Sequence, residues 1–325
     1  MNRDAREGVC HLGWKAVRRA ALCLLTPALA GLTATAGQAQ SKGPCSGAGI
    51  TLKKHQQEMV DGYVELLRSY PGFGPGDGVA HIPPWTYATP SDPNLAWVSE
   101  HYKFDEIAGQ GSEVSRFLRL MEWAHRITQG RGDLGDPDAL NTPAILEFVR
   151  STGRPVNCRM KAIVLNEALL ALGCSSRRIS FQPAKHDGDS HSIVTVFSRE
   201  LGRWICLDPT FDTYFHDGKG VPLGYLEMRD TYRSGRVPCF RSITIPVEGD
   251  LMLAGQAFDG YDAWYAVYMA KNCFKASCLQ KSAFGYESSD SPAWVVLHPR
   301  GYEPDSMGRG STTYTTDSRS FFEAP

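Results

Sequence analysis

The chain has no excess of charge of either sign. Its 34 Lys and Arg are matched by 35 Asp and Glu, giving a net charge of −1. With no basic stripe along it, nucleic acid is not an expected partner. It also lacks a long apolar run outside its N-terminus. The run from Ala20 to Ala34 is broken by Pro27, and it is too short and alanine-rich to make a good membrane span. No integral span is expected in the mature form. There is no Cys-x-x-Cys pair, which argues against a structural zinc site. No spacing matches a standard metal or cofactor motif, so no cofactor is expected. Internal repeats are absent, and 325 residues then suggest one large domain, or a core with appendages.

What is present begins with a targeting segment. Lys15, Arg18 and Arg19 flank the apolar run, and small residues lead to Ala36 and Ala39, both reasonable cleavage points. Residues 1–39 are therefore expected to be a signal peptide, and the mature protein to be periplasmic or secreted. Removing Cys10 and Cys23 with that signal leaves seven of the nine cysteines: Cys45, Cys158, Cys174, Cys206, Cys239, Cys273 and Cys278. An oxidising compartment favours disulfides, and an odd number leaves at least one thiol free. Cys158 is the choice for that thiol.

An ordered trio carries the chemistry: Cys158, His191 and Asp208. The segment from Cys158 to Leu172 is apolar on nearly all sides, which marks a core helix. Pro155 and Asn157 signal its start and Gly173 its end. Cys158 then sits at the positive end of the helix dipole, where a thiolate is favoured. Residues 191–198 and 203–208 both alternate as strands. Arg199-Glu200-Leu201-Gly202 between them reads as a tight hairpin connection. His191 then falls opposite Asp208, or within about two residues of it. Directly opposed residues have Cβ atoms roughly 4.5–5.5 Å apart. A thiol, a base and a carboxylate to orient the base form a nucleophilic triad. The Cys158 N–H, at the helix start, is the natural first donor to an oxyanion.

The runs Asn157-Cys158-Arg159-Met160-Lys161-Ala162 and Leu165 to Gly173 resemble the transglutaminase-like core. So do Asp187-Gly188-Asp189-Ser190-His191 and Trp204-Ile205-Cys206-Leu207-Asp208-Pro209-Thr210. The similarity covers roughly residues 110–240. It implies an α+β, papain-like fold with a buried N-terminal cysteine helix packed on an antiparallel sheet. It also implies Cys158 as nucleophile, His191 as base and Asp208 as orienting carboxylate. The expected activity is that of a secreted cysteine enzyme cutting amide bonds through a thioester. Its substrates would be peptide, protein or peptidoglycan-type amides. Arg159 stands where animal transglutaminases carry tryptophan, and no acidic cluster suits a calcium site. Both departures favour hydrolysis over cross-linking.

Duller readings exist for each residue. A cysteine in an apolar helix often only packs, and an Asp-Pro pair often only starts a turn. His186 competes for the base role but lies in the polar loop His186-Asp187-Gly188-Asp189, and His216 reads as a surface turn. Trp123 and His125 read as core positions on an amphipathic helix. Two other functional classes stay open: a non-catalytic peptide- or glycan-binding protein that keeps this fold, and a metal-assisted hydrolase using His186 and His191.

The remaining organisation is expected to be as follows. Residues 40–110 form a helical and loop extension, with a helix near 50–70 and a Pro/Gly-rich loop at 71–95 bearing Trp85 and Tyr87 that could overhang the cleft. Residues 111–240 hold the core. Helices are expected at 112–128 and at 142–151, the latter with Thr142 as cap, and at 221–235; a strand is expected near 177–183. Residues 241–300 complete the domain with a helix at 260–275 and a strand at Ala293–Leu297. The tail 301–325, rich in Ser, Thr and Gly, is expected to be disordered.

Overall fold

The computed structural model describes residues 50–74, 82–128, 135, 137–185, 189–243, 251–253, 255–258, 260–306 and 310–325. The expected signal segment, Cys45 and His186 lie outside the described residues. In chain order the elements are α1 (Lys54–Arg68), β1 (Thr86–Tyr87), α2 (Pro93–Tyr102), α3 (Phe104–Ala108), α4 (Glu113–Ile127), α5 (Thr142–Thr152) and α6 (Cys158–Ala171). Then come β2 (Ser176–Gln182), β3 (His191–Ser198), β4 (Arg203–Asp208), β5 (Thr213–His216), α7 (Tyr225–Arg233), β6 (Cys239–Ser242), β7 (Leu251–Leu253), β8 (Gln256–Phe258) and α8 (Tyr261–Asn272). Last are β9 (Lys275–Leu279), β10 (Lys281–Ser282), β11 (Ala293–Leu297), β12 (Ser311–Thr315) and α9 (Ser318–Phe321).

The class is α+β, built on a large mixed sheet. Eight strands run in the order β12-β11-β9-β2-β3-β4-β5-β6. Every neighbouring pair is antiparallel except β11 with β12, which run parallel. The sheet is therefore not the purely antiparallel one expected. The exception comes from the tail: the chain loops back after β11 and lays Ser311–Thr315 along its outer edge. Disorder was expected there from composition, but Thr312, Thr313 and Thr315 are β-branched and suit a pleated edge. The α9 turn that follows buries Phe321 completely.

Alternation along the strands gives the sheet two apolar faces. Val194, Val196, Ile205 and Leu207 join one core with residues of α2, α4, α5 and α6. Ile179, Phe181, Ile193, Cys206 and Phe215 join another with residues of α1, α7 and α8. The sheet thus lies between two helical layers.

Helix α6 is central because it is buried all round. Every residue from Met160 to Ala171 is buried, three polar ones included. A buried polar group needs a partner, and each of the three has one. The Lys161 ammonium donates to Thr128 Oγ1 at 2.9 Å, and Asn166 Nδ2 donates to Ser282 Oγ at 3.0 Å. Glu167 accepts the N–H groups of Thr142 at 2.7 Å and Gly285 at 2.9 Å. Burial pushes the Glu167 carboxyl up to about 7 against those bonds.

Two local expectations need correction. Asn141, not Thr142, caps α5, accepting the Ala144 N–H; Thr142 and Pro143 form its first turn. His216 is not on a surface turn: it is buried on β5 opposite Cys239, and the turn begins after it. Burial lowers its ring pKa. The loop aromatics Trp85 and Tyr87 do not overhang the trio. Trp85 covers Arg177 on one side, with the guanidinium 4.1 Å from its ring centre, and Trp204 covers the other at 4.3 Å. Tyr87 packs against Trp204.

Candidate active site

The position of Cys158, the candidate nucleophile, is set by helix geometry. Asn157 has extended backbone angles and accepts the Met160 N–H on its side chain, which starts α6 at Cys158. The thiol therefore lies in the first turn, where N–H groups have no intrahelical acceptor. Across from it, β3 opens at His191. The Ser192 N–H donates to Cys158 Sγ at 3.5 Å.

The hairpin sets the other half. Ser198 pairs with Arg203 and Val194 with Leu207, around the four-residue turn 199–202. Extending that register by one step puts Asp208 opposite Ile193. His191 is then a diagonal neighbour of Asp208 on the same face, two residues along. A diagonal pair is within reach of long side chains, and His191 Nε2 meets Asp208 Oδ2 at 2.6 Å. The other ring nitrogen, Nδ1, is free of Asp208, and the Cys158 sulfur is near enough for each group to shift the other's titration; the thiol also points at the Ser190 carbonyl at 3.9 Å. The three expected residues thus form one line: thiol, imidazole, carboxylate.

Asp208 serves two readings at once. Its Oδ1 accepts the N–H groups of Thr210 at 2.9 Å and Phe211 at 3.4 Å, holding the turn that an Asp-Pro pair suggests. Its Oδ2 takes His191 and the Tyr265 hydroxyl, which donates at 2.8 Å. Four donors fix the carboxylate, and it is 1% exposed. His125 Nδ1 donates to the Pro209 carbonyl at 3.0 Å and braces the same turn. Trp123 packs on Phe104 and Tyr102, a core role as expected.

Electrostatics follow from this geometry. Burial pulls the His191 ring down, but the charge and hydrogen bond of Asp208, with the Cys158 sulfur beside it, push it up to about 10. Burial pushes the Cys158 thiol up, but the hydrogen bond and charge of His191 and the Ser192 N–H outweigh it and hold the thiol below its ordinary value. Both effects favour a thiolate–imidazolium pair. At four of the other cysteines burial outweighs every partner. Burial pushes Cys174 and Cys278 up to about 11 and Cys273 up to about 12, and raises Cys206 further. All six described cysteines are free thiols, so no disulfide ties down Cys158.

Four residues of this site were not anticipated. Tyr265 and Tyr268 stand on α8, and with Tyr261 and Trp264 they form a stripe at i, i+3, i+4 and i+7. Tyr268 meets the His191 ring edge-on at 5.3 Å, and Phe211 covers it at 5.4 Å. These rings exclude water from the imidazole. Glu287, far along the chain, holds Arg159 next to the nucleophile at 2.6 Å. The aromatic richness of α8 is visible in the sequence; its partner, Asp208, is not. Among the described residues no group of three or more His, Cys, Asp or Glu side chains is placed to hold a metal ion.

No family model matches the chain, and no curated protein does. Among solved structures, it resembles a candidate cysteine protease from Cytophaga hutchinsonii at 15% identity and a TM-score of 0.28. That match covers 60% of this chain and 65% of the neighbour, less than two thirds of its length. A likeness this slight carries no argument. Among the described residues no helix is long and apolar enough to cross a membrane.

Proposed function

We propose that the protein is a cysteine hydrolase of the transglutaminase-like kind, exported by residues 1–39 and acting on amide bonds. The observation that supports this reading best is the alignment of the partly buried Cys158 thiol, at a helix N-terminus, with the buried His191 and Asp208.

The chemistry then runs as follows. The Cys158 thiolate attacks the amide carbonyl carbon, and the carbonyl electrons move to oxygen. The Cys158 N–H, in the unpaired first turn of α6, donates to that oxyanion. The His191 imidazolium gives its proton to the amide nitrogen, the C–N bond breaks, and a thioester and a free amine result. His191, now neutral, takes a proton from water, and the hydroxide equivalent displaces the thiol. Asp208 holds the ring in the tautomer and direction that both steps need.

Cys158→Ala tests the reading. The side chain is small and only partly buried, so the variant is expected to melt within a few degrees of the parent. Turnover of peptide or peptidoglycan-type amides is expected to vanish. Undiminished turnover in this variant would sink the proposal.

A further inference from the structure

We infer that Arg159 is a substrate-binding residue, and that its guanidinium takes a carboxylate carried by the substrate beside the bond that Cys158 attacks. The inference rests on the cysteine-hydrolase reading and names a substrate class for that same site.

The argument is one of charge and unused donors. Glu287 lies on a single 3₁₀ turn, Tyr286–Ser288, with its side chain 6% exposed. Arg178 on β2 already engages both of its oxygens: Nε donates to Oε2 at 2.7 Å and Nη2 to Oε1 at 3.0 Å. That two-pronged pair is the strong form of an ion pair and neutralises the carboxylate. Yet Arg159 joins it too, through Nε to Oε1 at 2.6 Å. Two guanidinium groups now share one carboxylate, and one positive charge is left over.

The surplus charge has a definite address. Arg178 is buried, and its Nη1 is spent on Ser180 Oγ at 2.7 Å and Ser192 Oγ at 3.1 Å. The Arg159 side chain is 30% exposed, and among the described residues its one hydrogen bond is the bond through Nε. Its two terminal nitrogens remain as a planar fork, fixed in direction by the tether at Nε. Such a fork matches a carboxylate.

The fork is tied to the same cluster of residues that reaches the Cys158 thiol. Arg159 directly follows Cys158 in the chain. Contacts run from one to the other: the Ser192 N–H donates to Cys158 Sγ, its hydroxyl accepts from Arg178, and Arg178 shares Glu287 with Arg159. A purely structural ion pair would need Arg178 alone. A free chain terminus and an acidic side chain present the same carboxylate, so the test separates them.

The experiment compares two alkylating probes of one size. Iodoacetamide is neutral; iodoacetate carries a carboxylate next to the carbon that sulfur attacks. Rate constants at Cys158 are read from the mass of its peptide, in the whole protein and in Arg159→Gln and Arg159→Lys. In the parent, the iodoacetate-to-iodoacetamide ratio is expected to exceed that of a cysteine peptide by on the order of tenfold, the worth of one charge-assisted contact. Arg159→Gln should lose that factor. Arg159→Lys, which keeps the charge but not the fork, should keep part of it. Equal ratios in the parent and Arg159→Gln overturn the inference. The iodoacetamide rate alone reports whether Cys158 is an activated thiolate, so failure of the hydrolase reading shows separately. A second arm uses matched peptides, amidated or free at the C-terminus, with Glu or Gln beside the cleaved bond. An Arg159-dependent preference for Glu assigns the carboxylate to a side chain, and one for the free end to a terminus. Indifference to all four overturns it.

Discussion

Replacing Asp208 by Asn keeps the shape of the site and removes its charge. The structure says what that charge does: against burial, and with help from the Cys158 sulfur, it pushes His191 from an ordinary 6.5 up to about 10. About 3.5 pH units at 1.36 kcal/mol each is on the order of 5 kcal/mol of preference for the imidazolium. With the carboxylate gone, only the Cys158 sulfur still opposes burial, and the ring should titrate well below its parent value. The thiolate then loses its counter-ion at neutral pH, and the Cys158 thiol climbs. The assay is iodoacetamide alkylation of Cys158 from pH 5 to 11. The parent should react well below the free-cysteine value of about 8.5 and hold a plateau to about pH 10. Asp208→Asn should lose at least about tenfold in rate at pH 7 and follow one thiol titration at or above about 8.5. Stability gives a second reading of the same event. A His pKa raised in the folded state stabilises fully below the unfolded value of 6.5 and fades as pH rises through about 10. The lowered Cys158 thiol acts in the opposite sense up to its unfolded value of about 8.5, so the parent Tm should fall chiefly between there and about pH 10, and more steeply than that of Asp208→Asn. An unchanged acid limb of the alkylation profile in the variant would refute the assigned role of the carboxylate.

Two further outcomes test the residues around this line. Tyr265→Phe removes a buried hydroxyl that donates to Asp208. It should cost about 2 kcal/mol and lower Tm by about 4–8 °C in a scan; with one donor fewer on its carboxylate, the upper limb of the alkylation profile should move to higher pH, which a merely structural loss would not produce. Phe321→Ala empties a fully buried site under Trp85 and should cost about 3–5 kcal/mol, read as a lower urea midpoint. A midpoint equal to the parent's would mean that the tail does not pack as described.

The trio was legible because each member sits in an element with a strong local signal. An apolar run with a cap before it and glycine after it gives α6, and two alternating runs around a four-residue turn give β3 and β4. Even the diagonal offset of His191 and Asp208 follows from turn length. What stayed hidden depends on distance along the chain. Tyr265 lies 57 residues from Asp208, and Glu287 lies 128 from Arg159; no local period links such pairs. The tail misled for a different reason. Ser, Thr and Gly lower mean hydropathy, but a strand at a sheet edge needs ladder partners more than apolar side chains, and β11 supplies them. His216 misled in the same way, because its neighbours Asp217, Gly218 and Gly220 mark a turn that begins one residue later.

The contrast among the thiols reaches beyond catalysis. A cysteine with a pKa near 11 holds on the order of one part in ten thousand as thiolate at neutral pH. Cys174, Cys206, Cys273 and Cys278 stand at that level or beyond it, while Cys158 stands on the other side of its ordinary value. Peroxide reacts with thiolates, converting them first to sulfenic acid. Among those five sulfurs the first oxidising equivalent is therefore drawn to the nucleophile. The environment that lowers the Cys158 thiol also makes it the most oxidant-sensitive of these sulfurs, so its oxidation precedes damage to the buried thiols of the core.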